Sequence, residues 1–251
     1  AQKGRPPGLG VILVGENPAS QVYVRNKFKA CEKIGFASFE KKLPASITQE
    51  ELHRVIDDFN SLRELDGYIV QLPLPEHLDS AKALDRIDPQ KDADGLTTVN
   101  LGRLFAGQPL VAPCTPQGVM NLLEHYEIDL EGKNALVVGR SQIVGKPMAH
   151  LLLQANATVC ICHSRTRDLQ SFTRKADIVV VAAGKPQFLG REDFQQGAVV
   201  VDVGIHRVAS ETQKTHLVGD VRFHELEDWL TWASPVPGGV GPMTITTLLE
   251  N

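Results

Sequence analysis

The chain has 251 residues, 42% hydrophobic and 22% charged, with a formal net charge of −4, the composition of an ordinary globular protein of one or two domains. The acidic balance argues against a nucleic-acid groove or an anionic membrane surface, since both reward a basic face. No apolar run approaches the ~20 residues needed to span a bilayer, and the opening AQKGRPPGLG lacks the apolar core of a signal peptide, so a cytoplasmic location is expected.

In chain order, short apolar runs alternate with longer amphipathic ones, the pattern of βαβ units around a parallel sheet. GLGVILVG at 8–15 reads as a buried strand. Asn17 and Pro18 supply an N-cap and first helical residue for a helix to about Ile34, which Gly35 stops. A second strand lies near 38–43. Thr48 and Glu51 form a capping box for a helix through about Leu62. GYIVQL at 67–72 is the next strand, followed by a helix near 76–86 and the loop PQKDADGL. Thr115 and Pro116 read as the N-cap and first residue of a helix to about Tyr126, placed at a domain junction. The alternation then resumes with strand 134–139, helix 145–155 and strands 157–162, 178–184 and 198–204. The polar stretch VASETQKTH at 208–216 reads as a surface loop or hairpin, and SPVPGGVGPMT at 234–244 leads into a last helix.

Four cysteines are scattered as Cys31, Cys114, Cys160 and Cys162, and the eight histidines include no H-E-x-x-H pattern. A C-x-C pair on a strand shares one face, but no second ligand pair accompanies it. No metal is expected.

After the strand ending at Gly139 comes G-R-S-Q-I-V-G, then Lys146, Pro147 and an apolar helix. Such a turn lets backbone amides approach a pyrophosphate, and the helix N-terminus favours its charge. Gly139 and Gly145 are six apart and Ser141 replaces the middle glycine, so the motif alone is of middling specificity; a turn without a ligand competes with it. The next strand discriminates better. An NAD site places a carboxylate near its end for the ribose 2′-hydroxyl. Here Cys162 is followed by His163, Ser164, Arg165, Thr166 and Arg167, with no carboxylate before Asp168. Hydroxyl and guanidinium donors welcome a 2′-phosphate, and Arg140 can reach the same place. NADP is favoured over NAD, although Arg167 reads equally well as a solvated turn residue.

Tyr23 and Lys27 stand four apart on one helix face. Taken with N-P-A-S-x-x-Y-x-x-x-K at 17–27, V-Q-L-P-L-P at 70–75, K-D-A-D-G at 91–95, P-C-T-P at 113–116, G-R-S-x-I-V-G at 139–145 and P-V-P-G-G-V-G-P-M-T at 235–244, they give the chain a resemblance to the methylenetetrahydrofolate dehydrogenase/methenyltetrahydrofolate cyclohydrolase family. The motifs fall in the family's order along essentially the whole chain. The resemblance implies a homodimer of two-domain α/β subunits. Residues 1–114 would form an N-terminal α/β folate domain with 240–251 returning to it, and 115–239 a Rossmann-like NADP-binding domain, with a cleft between them. It also implies a segment ahead of the first strand and a longer final helix than this chain carries.

The resemblance further implies that Lys27 is the central catalytic residue, with Tyr23, Gln71 and Asp94 around the folate. Loss of hydride to NADP leaves a delocalised methenyl cation, and water added to the same carbon opens it to the 10-formyl product. A protonated lysine repels that cation, so a neutral Lys27 suits the removal of a proton from water. Gln71 would hold the lysine rotamer, and Tyr23 would pack along the folate. Asp94 would accept two pterin N–H groups, with Asp92 as a loop-stabilising alternative. Pro237, Gly238, Gly239 and Gly241 would let the backbone approach the ligands, or would simply form a tight turn. Thr244 would cap the helix after them. The resemblance places Gly139, Arg140, Ser141 and Ile143 around the nucleotide and Ser164 and Arg165 near the 2′-phosphate. Ala183 and Gly184 would lie along the dinucleotide, Gly204 and Ile205 beside the nicotinamide, and Thr244 near the cofactor. Asp202 is expected to be structural. A monofunctional dehydrogenase and a non-catalytic dinucleotide-binding module are the alternatives. A shikimate-dehydrogenase-like enzyme shares the two-domain plan but gives no reason for the KDADG and PGGVGPMT segments.

Overall fold

Seven consecutive buried residues make Gly8–Val14 (β1) the middle strand of a parallel sheet ordered β2-β1-β3, with Ala37–Leu43 (β2) and Gly67–Val70 (β3) on its flanks. The computed structural model describes residues 4–209 and 215–251. Pro18–Ile34 (α1) starts on the Asn17 side chain, which accepts from the Ala19 and Ser20 amides, and ends at Gly35 with φ 76°. Gln49–Ser61 (α2) carries the Thr48–Glu51 capping box. Its Leu52, Ile56 and Phe59 join Ile12, Leu65 and Tyr68 in the core of this unit, each fully buried large side chain stabilising the fold by ~1.5–3 kcal/mol. Tyr68 meets Phe59 edge-on and donates its hydroxyl to Asn60 Oδ1 at 2.7 Å.

Two short helices depart from the expectation. Ser80–Asp85 (α3) is shorter than 76–86 because the Asp79 side chain caps Ala81 and Lys82, leaving the preceding proline-rich segment irregular. Thr98–Phe105 (α4) was not foreseen; its eight residues, begun by the Thr97 hydroxyl accepting from the Asn100 amide, are too few to establish a period.

Cα packing divides the chain into Ala1–Ala112 with Leu248–Asn251, and Pro113–Thr247. The second unit opens with Cys114–His125 (α5). Pro113 occupies its N-cap position with no side-chain cap, so Thr115 lies inside the helix instead of capping it. A five-stranded parallel sheet follows. Its strands are Asn134–Val138 (β4), Thr158–Cys162 (β5), Ile178–Val181 (β6), Val199–Asp202 (β7) and, further on, Trp232–Ala233 (β10), in the order β10-β7-β6-β4-β5. Gly145–Gln154 (α6) connects β4 to β5, and Gln170–Thr173 (α7) lies between β5 and β6. His206–Ala209 (β8) and Thr215–Val218 (β9) pair antiparallel, the hairpin expected for the polar 208–216 stretch, whose residues 210–214 lie outside the described residues.

The last helix, Val240–Glu250 (α8), corrects two expectations. Thr244 sits within it, its hydroxyl donating to the Val240 carbonyl at 3.3 Å, so it caps nothing. Only residues 248–251 group with the first unit, not 240–251. Residues 240–247 are fastened to α5: Met243 backbone and side chain leave no room for a Cβ on Gly118, and the Thr115 and Thr244 hydroxyls are 3.1 Å apart. Among the described residues no helix is long and apolar enough to cross a membrane, and no group of side chains could hold a metal ion.

Candidate functional site

In the first unit a strand and a turn segment lie side by side. One is β3, followed by Gln71. The other is the 91–93 segment, paired parallel with it through Tyr68 and Asp92 and followed by Asp94. The carboxyl ends of parallel strands are where ligands gather in α/β folds. Helix α1 supplies the third group. Its fixed start and stop set its register, and Lys27 lies buried at 5% exposure. Lys27 Nζ donates to Gln71 Oε1 at 3.2 Å, and Gln71 Nε2 donates to the Leu72 carbonyl at 2.8 Å. The carboxamide is therefore held at both ends with its oxygen turned to the amine. Among the described residues Lys27 forms no ion pair, and its partner is the neutral Gln71 carboxamide oxygen.

Tyr23, one helical turn before Lys27, is half-buried; burial pushes its phenol upward, keeping it a neutral O–H donor. Asp94 is partly exposed. Asp92 is 2% exposed, and its Oδ2 accepts from the Thr97 amide at 2.8 Å and Asn100 Nδ2 at 2.9 Å, which is the work of a loop-stabilising carboxylate. The chain's last residue braces the same loop, with Asn251 Nδ2 donating to the Ala93 and Ala112 carbonyls at 3.0 Å each.

The second unit presents a glycine-lined strand-to-helix turn. Strand order reverses at β4, with β5 on one side and β6 on the other, and ligands bind at such a switch point. Gly139 follows β4 with φ 141°, and a Cβ there would lie 2.2 Å from the Ala182 carbonyl oxygen; a Cβ on Gly145 would lie 2.3 Å from that of Gly139. The turn closes tightly because both positions lack side chains. Ser141 holds it: its hydroxyl accepts from the Val144 and Gly145 amides at 3.1 and 3.2 Å, and its carbonyl from Lys146 at 3.0 Å. Pro147 has no amide hydrogen. The start of α6 is thus capped internally, and the exposed residues 140–143, with Ile143 40% exposed, face outward at the positive end of the helix.

After β5, the His163 amide donates to Thr166 Oγ1 at 2.9 Å and the Arg165 amide to His163 Nδ1 at 3.1 Å, leaving the Ser164 and Arg165 side chains exposed. The absence of a carboxylate from 163–167 suits a 2′-phosphate, and the glycine-lined turn suits a dinucleotide, so these residues fit NADP. Ala183 and Gly184 follow β6, and Gly204 and Ile205 follow β7, with Gly184 open on its outer face and Ile205 42% exposed. Pro237, Gly238 and Gly239 belong to this second unit. Gly238 has φ 103°, and a Cβ on Gly239 would sit 2.6 Å from the Pro235 carbonyl oxygen, so the glycines answer first to a tight turn. The Thr244 hydroxyl is already engaged by Val240 and Thr115.

Asp202 and Asp220 are the buried carboxylates of this unit's strand ends, and sequence reasoning found only the first. Asp202 Oδ1 accepts from the Gly204 and Asp220 amides and Oδ2 from Val221, each at 2.9 Å. Asp220, fully buried, accepts from the amides of Ala183 (2.7 Å), Gly184 (3.0 Å) and Lys185 (2.9 Å) and is 2.7 Å from His206 Nε2. The available signal was an aspartate set in the apolar run LVGDV, because unpaired carboxylates are almost never fully buried. Burial pushes the Asp202 carboxyl from near 3.8 up to about 6; the three amides oppose this and the Asp220 charge adds to it. A raised acid binds more protons folded than unfolded between about pH 4 and 6, so its contribution to stability falls as pH rises through that window. The unfolding free energy of the wild type minus that of Asp202→Asn is expected to drop by on the order of 2 kcal/mol from pH 4 to pH 6.5; a flat difference in denaturant titrations overturns this.

The family model for the tetrahydrofolate dehydrogenase/cyclohydrolase NAD(P)-binding domain matches residues 113–251, and that for the catalytic domain matches residues 1–94. A curated relative from Bdellovibrio bacteriovorus, named bifunctional protein FolD, is 56% identical over 248 residues, covering 99% of this chain and 85% of its own length. The solved structure of the Trypanosoma brucei methylenetetrahydrofolate dehydrogenase-cyclohydrolase, complexed with NADP cofactor and inhibitor, superposes with TM-score 0.94 at 43% identity, covering 99% of this chain and 86% of that one. A shikimate dehydrogenase from Aquifex aeolicus superposes with TM-score 0.58 at 13% identity over 98% of this chain and 91% of that one, a likeness of fold alone.

Proposed function

This chain belongs to the tetrahydrofolate dehydrogenase/cyclohydrolase family, and from that premise we propose that Lys27, Tyr23, Gln71 and Asp94 form one folate site at which both of its reactions run. The enzyme is bifunctional and uses NADP: it oxidises 5,10-methylenetetrahydrofolate to the methenyl compound and hydrolyses that compound to 10-formyltetrahydrofolate. The site assignment is carried by the buried Lys27 amine, gripped by the doubly anchored Gln71 carboxamide.

In this reading Asp94 accepts two N–H groups from the pterin edge and sets the orientation of the substrate. Tyr23 packs along the ring and offers a hydroxyl donor. Bound NADP would supply the hydride acceptor; Gly139, Arg140, Ser141 and Ile143 would hold its nucleotide half, Ser164 and Arg165 its 2′-phosphate, with Ala183 and Gly184 along the dinucleotide and Gly204 and Ile205 beside the nicotinamide. Pro237, Gly238 and Gly239 would offer their backbone to the ligands, and Thr244, its hydroxyl already engaged by Val240 and Thr115, would lie near the cofactor. In the hydrolysis, the neutral Lys27 amine removes a proton from the water that attacks the electron-poor methenyl carbon, and a carbon–nitrogen bond then opens to leave the formyl group. Gln71 keeps the amine in the rotamer that reaches the water. Family resemblance supports a homodimer working in the cytoplasm.

A spectrophotometric assay with methylenetetrahydrofolate, run in parallel with NADP and NAD, and a second with the methenyl compound in the absence of either, tests the reading. Turnover in both, with NADP preferred, is the expected result. NADP binding without turnover of either folate would leave a binding module only.

A further inference from the structure

Three chain segments meet on the Asp202–Asp220 pair. The loop after β6 brings the amides of Ala183, Gly184 and Lys185; the segment after β7 brings the Gly204 amide and the His206 ring; the segment after β9 brings the amides of Asp220 and Val221. Glycines make room for both carboxylates. A Cβ on Gly204 would lie 2.3 Å from Asp220 Oδ1, and one on Gly219 would lie within bonding range of Asp202 Oδ2. Such notches bring the charge to the backbone with no side chain between.

The electrostatics explain why Asp220 should matter beyond holding the fold. A fully buried carboxylate is costly unless every lone pair is met by a donor. Here the donors to Asp220 are the three backbone amides of the loop that presents Gly184 outward and the His206 ring of the segment that presents Ile205. The negative charge therefore fixes both loops from behind, while their outer faces stay open. His206 Nε2 adds the one side-chain donor and ties the residue after Ile205 to the same carboxylate.

We propose that Asp220 is a positioning residue for the cofactor: its buried carboxylate sets the 183–185 loop in the shape that lies along the dinucleotide and, through His206, locks the 204–206 segment in the shape that lies beside the nicotinamide. The proposal rests on the assignment of those loops to the cofactor. Neither side chain is expected to touch the ligand. Their effect is on pre-organisation, the support that keeps a site within a fraction of an ångström of its working geometry.

Asp220→Asn tests this, because it keeps the shape but replaces one acceptor oxygen with an amino group that faces amide donors. The dissociation constant for NADP, read by calorimetry without folate, is expected to rise at least ~10-fold, the equivalent of ~1.4 kcal/mol. Hydrolysis of the methenyl compound without NADP is expected to stay within about twofold of wild type. Equal loss of both activities, with a lowered thermal midpoint, would make Asp220 a structural residue and overturn the proposal, as would unchanged NADP affinity. Should Asp220→Asn fail to fold, His206→Ala and His206→Gln decide. The alanine variant is expected to weaken NADP binding several-fold and the glutamine variant, whose amide retains a donor, to restore it; equal affinity in all three proteins overturns the proposal. A wild type that neither binds NADP nor turns over folate refutes the functional assignment instead, and the wild-type measurements identify that outcome separately.

Discussion

Lys27→Met is expected to lower hydrolysis of the methenyl compound by roughly 10²–10⁴-fold, the usual worth of a general base, while NADP binding measured by calorimetry stays within about twofold of wild type. Methionine matches the length of the lysine stem and is at home in a buried, partly apolar position, so the 5%-exposed site on α1 keeps its packing. What disappears is the nitrogen. Gln71 Oε1 then loses its donor at 3.2 Å, while its amide group remains tied to Leu72, so the local backbone keeps its shape. Cyclohydrolase turnover retained near the wild-type rate would remove Lys27 from the mechanism. Oxidation of methylenetetrahydrofolate should fall less than hydrolysis, since no water has to be deprotonated in that step.

Gly145→Ala is expected to act on the other activity, cutting NADP-dependent oxidation by at least ~10²-fold. The added methyl would meet Gly139 O at 2.3 Å, Gly139 C at 2.6 Å and Arg140 N at 2.7 Å, all of them backbone atoms that no rotamer change can move aside. The turn must open, and with it the Ser141 hydroxyl loses its grip on the Val144 and Gly145 amides. Overpacking of this kind costs roughly 1–3 kcal/mol of stability and sometimes more, so thermal denaturation of the variant should be shifted as well. Hydrolysis without NADP, normalised to folded protein, should survive. Wild-type NADP affinity in this variant would show that the turn does not hold the nucleotide.

How much was legible in the sequence differs between the layers of the molecule. Strands β1, β4, β6 and β7 are continuous apolar runs bounded by glycine, and helices α1 and α2 carry their caps in plain view, as Asn17–Pro18 and Thr48–Glu51. Those elements, with β3, bring Gln71, Gly139, Gly184 and Gly204 to strand ends without further information. Features set by distant partners were not legible. Thr115 and Thr244 both looked like caps, but each hydroxyl is positioned by the other helix. The grouping of residues 240–247 depends on the close approach of Met243 to Gly118, which no local pattern announces. Asp220 lies in a stretch without periodicity, and its partners are amides some 35–37 positions upstream. Asp94 could be told from Asp92 only by motif; the structure shows Asp92 buried, with Oδ2 accepting from Thr97 and Asn100.

The bend following β5 is bonded mainly to itself, through His163, Arg165 and Thr166. Its two outward side chains, Ser164 and Arg165, can therefore be exchanged without disturbing the strand beneath or the glycine turn beside it. On the proposed assignment of Ser164 and Arg165 to the 2′-phosphate, discrimination between phosphorylated and unphosphorylated forms of the coenzyme would sit on a self-contained appendage, free to drift over generations while the chassis beneath stays put.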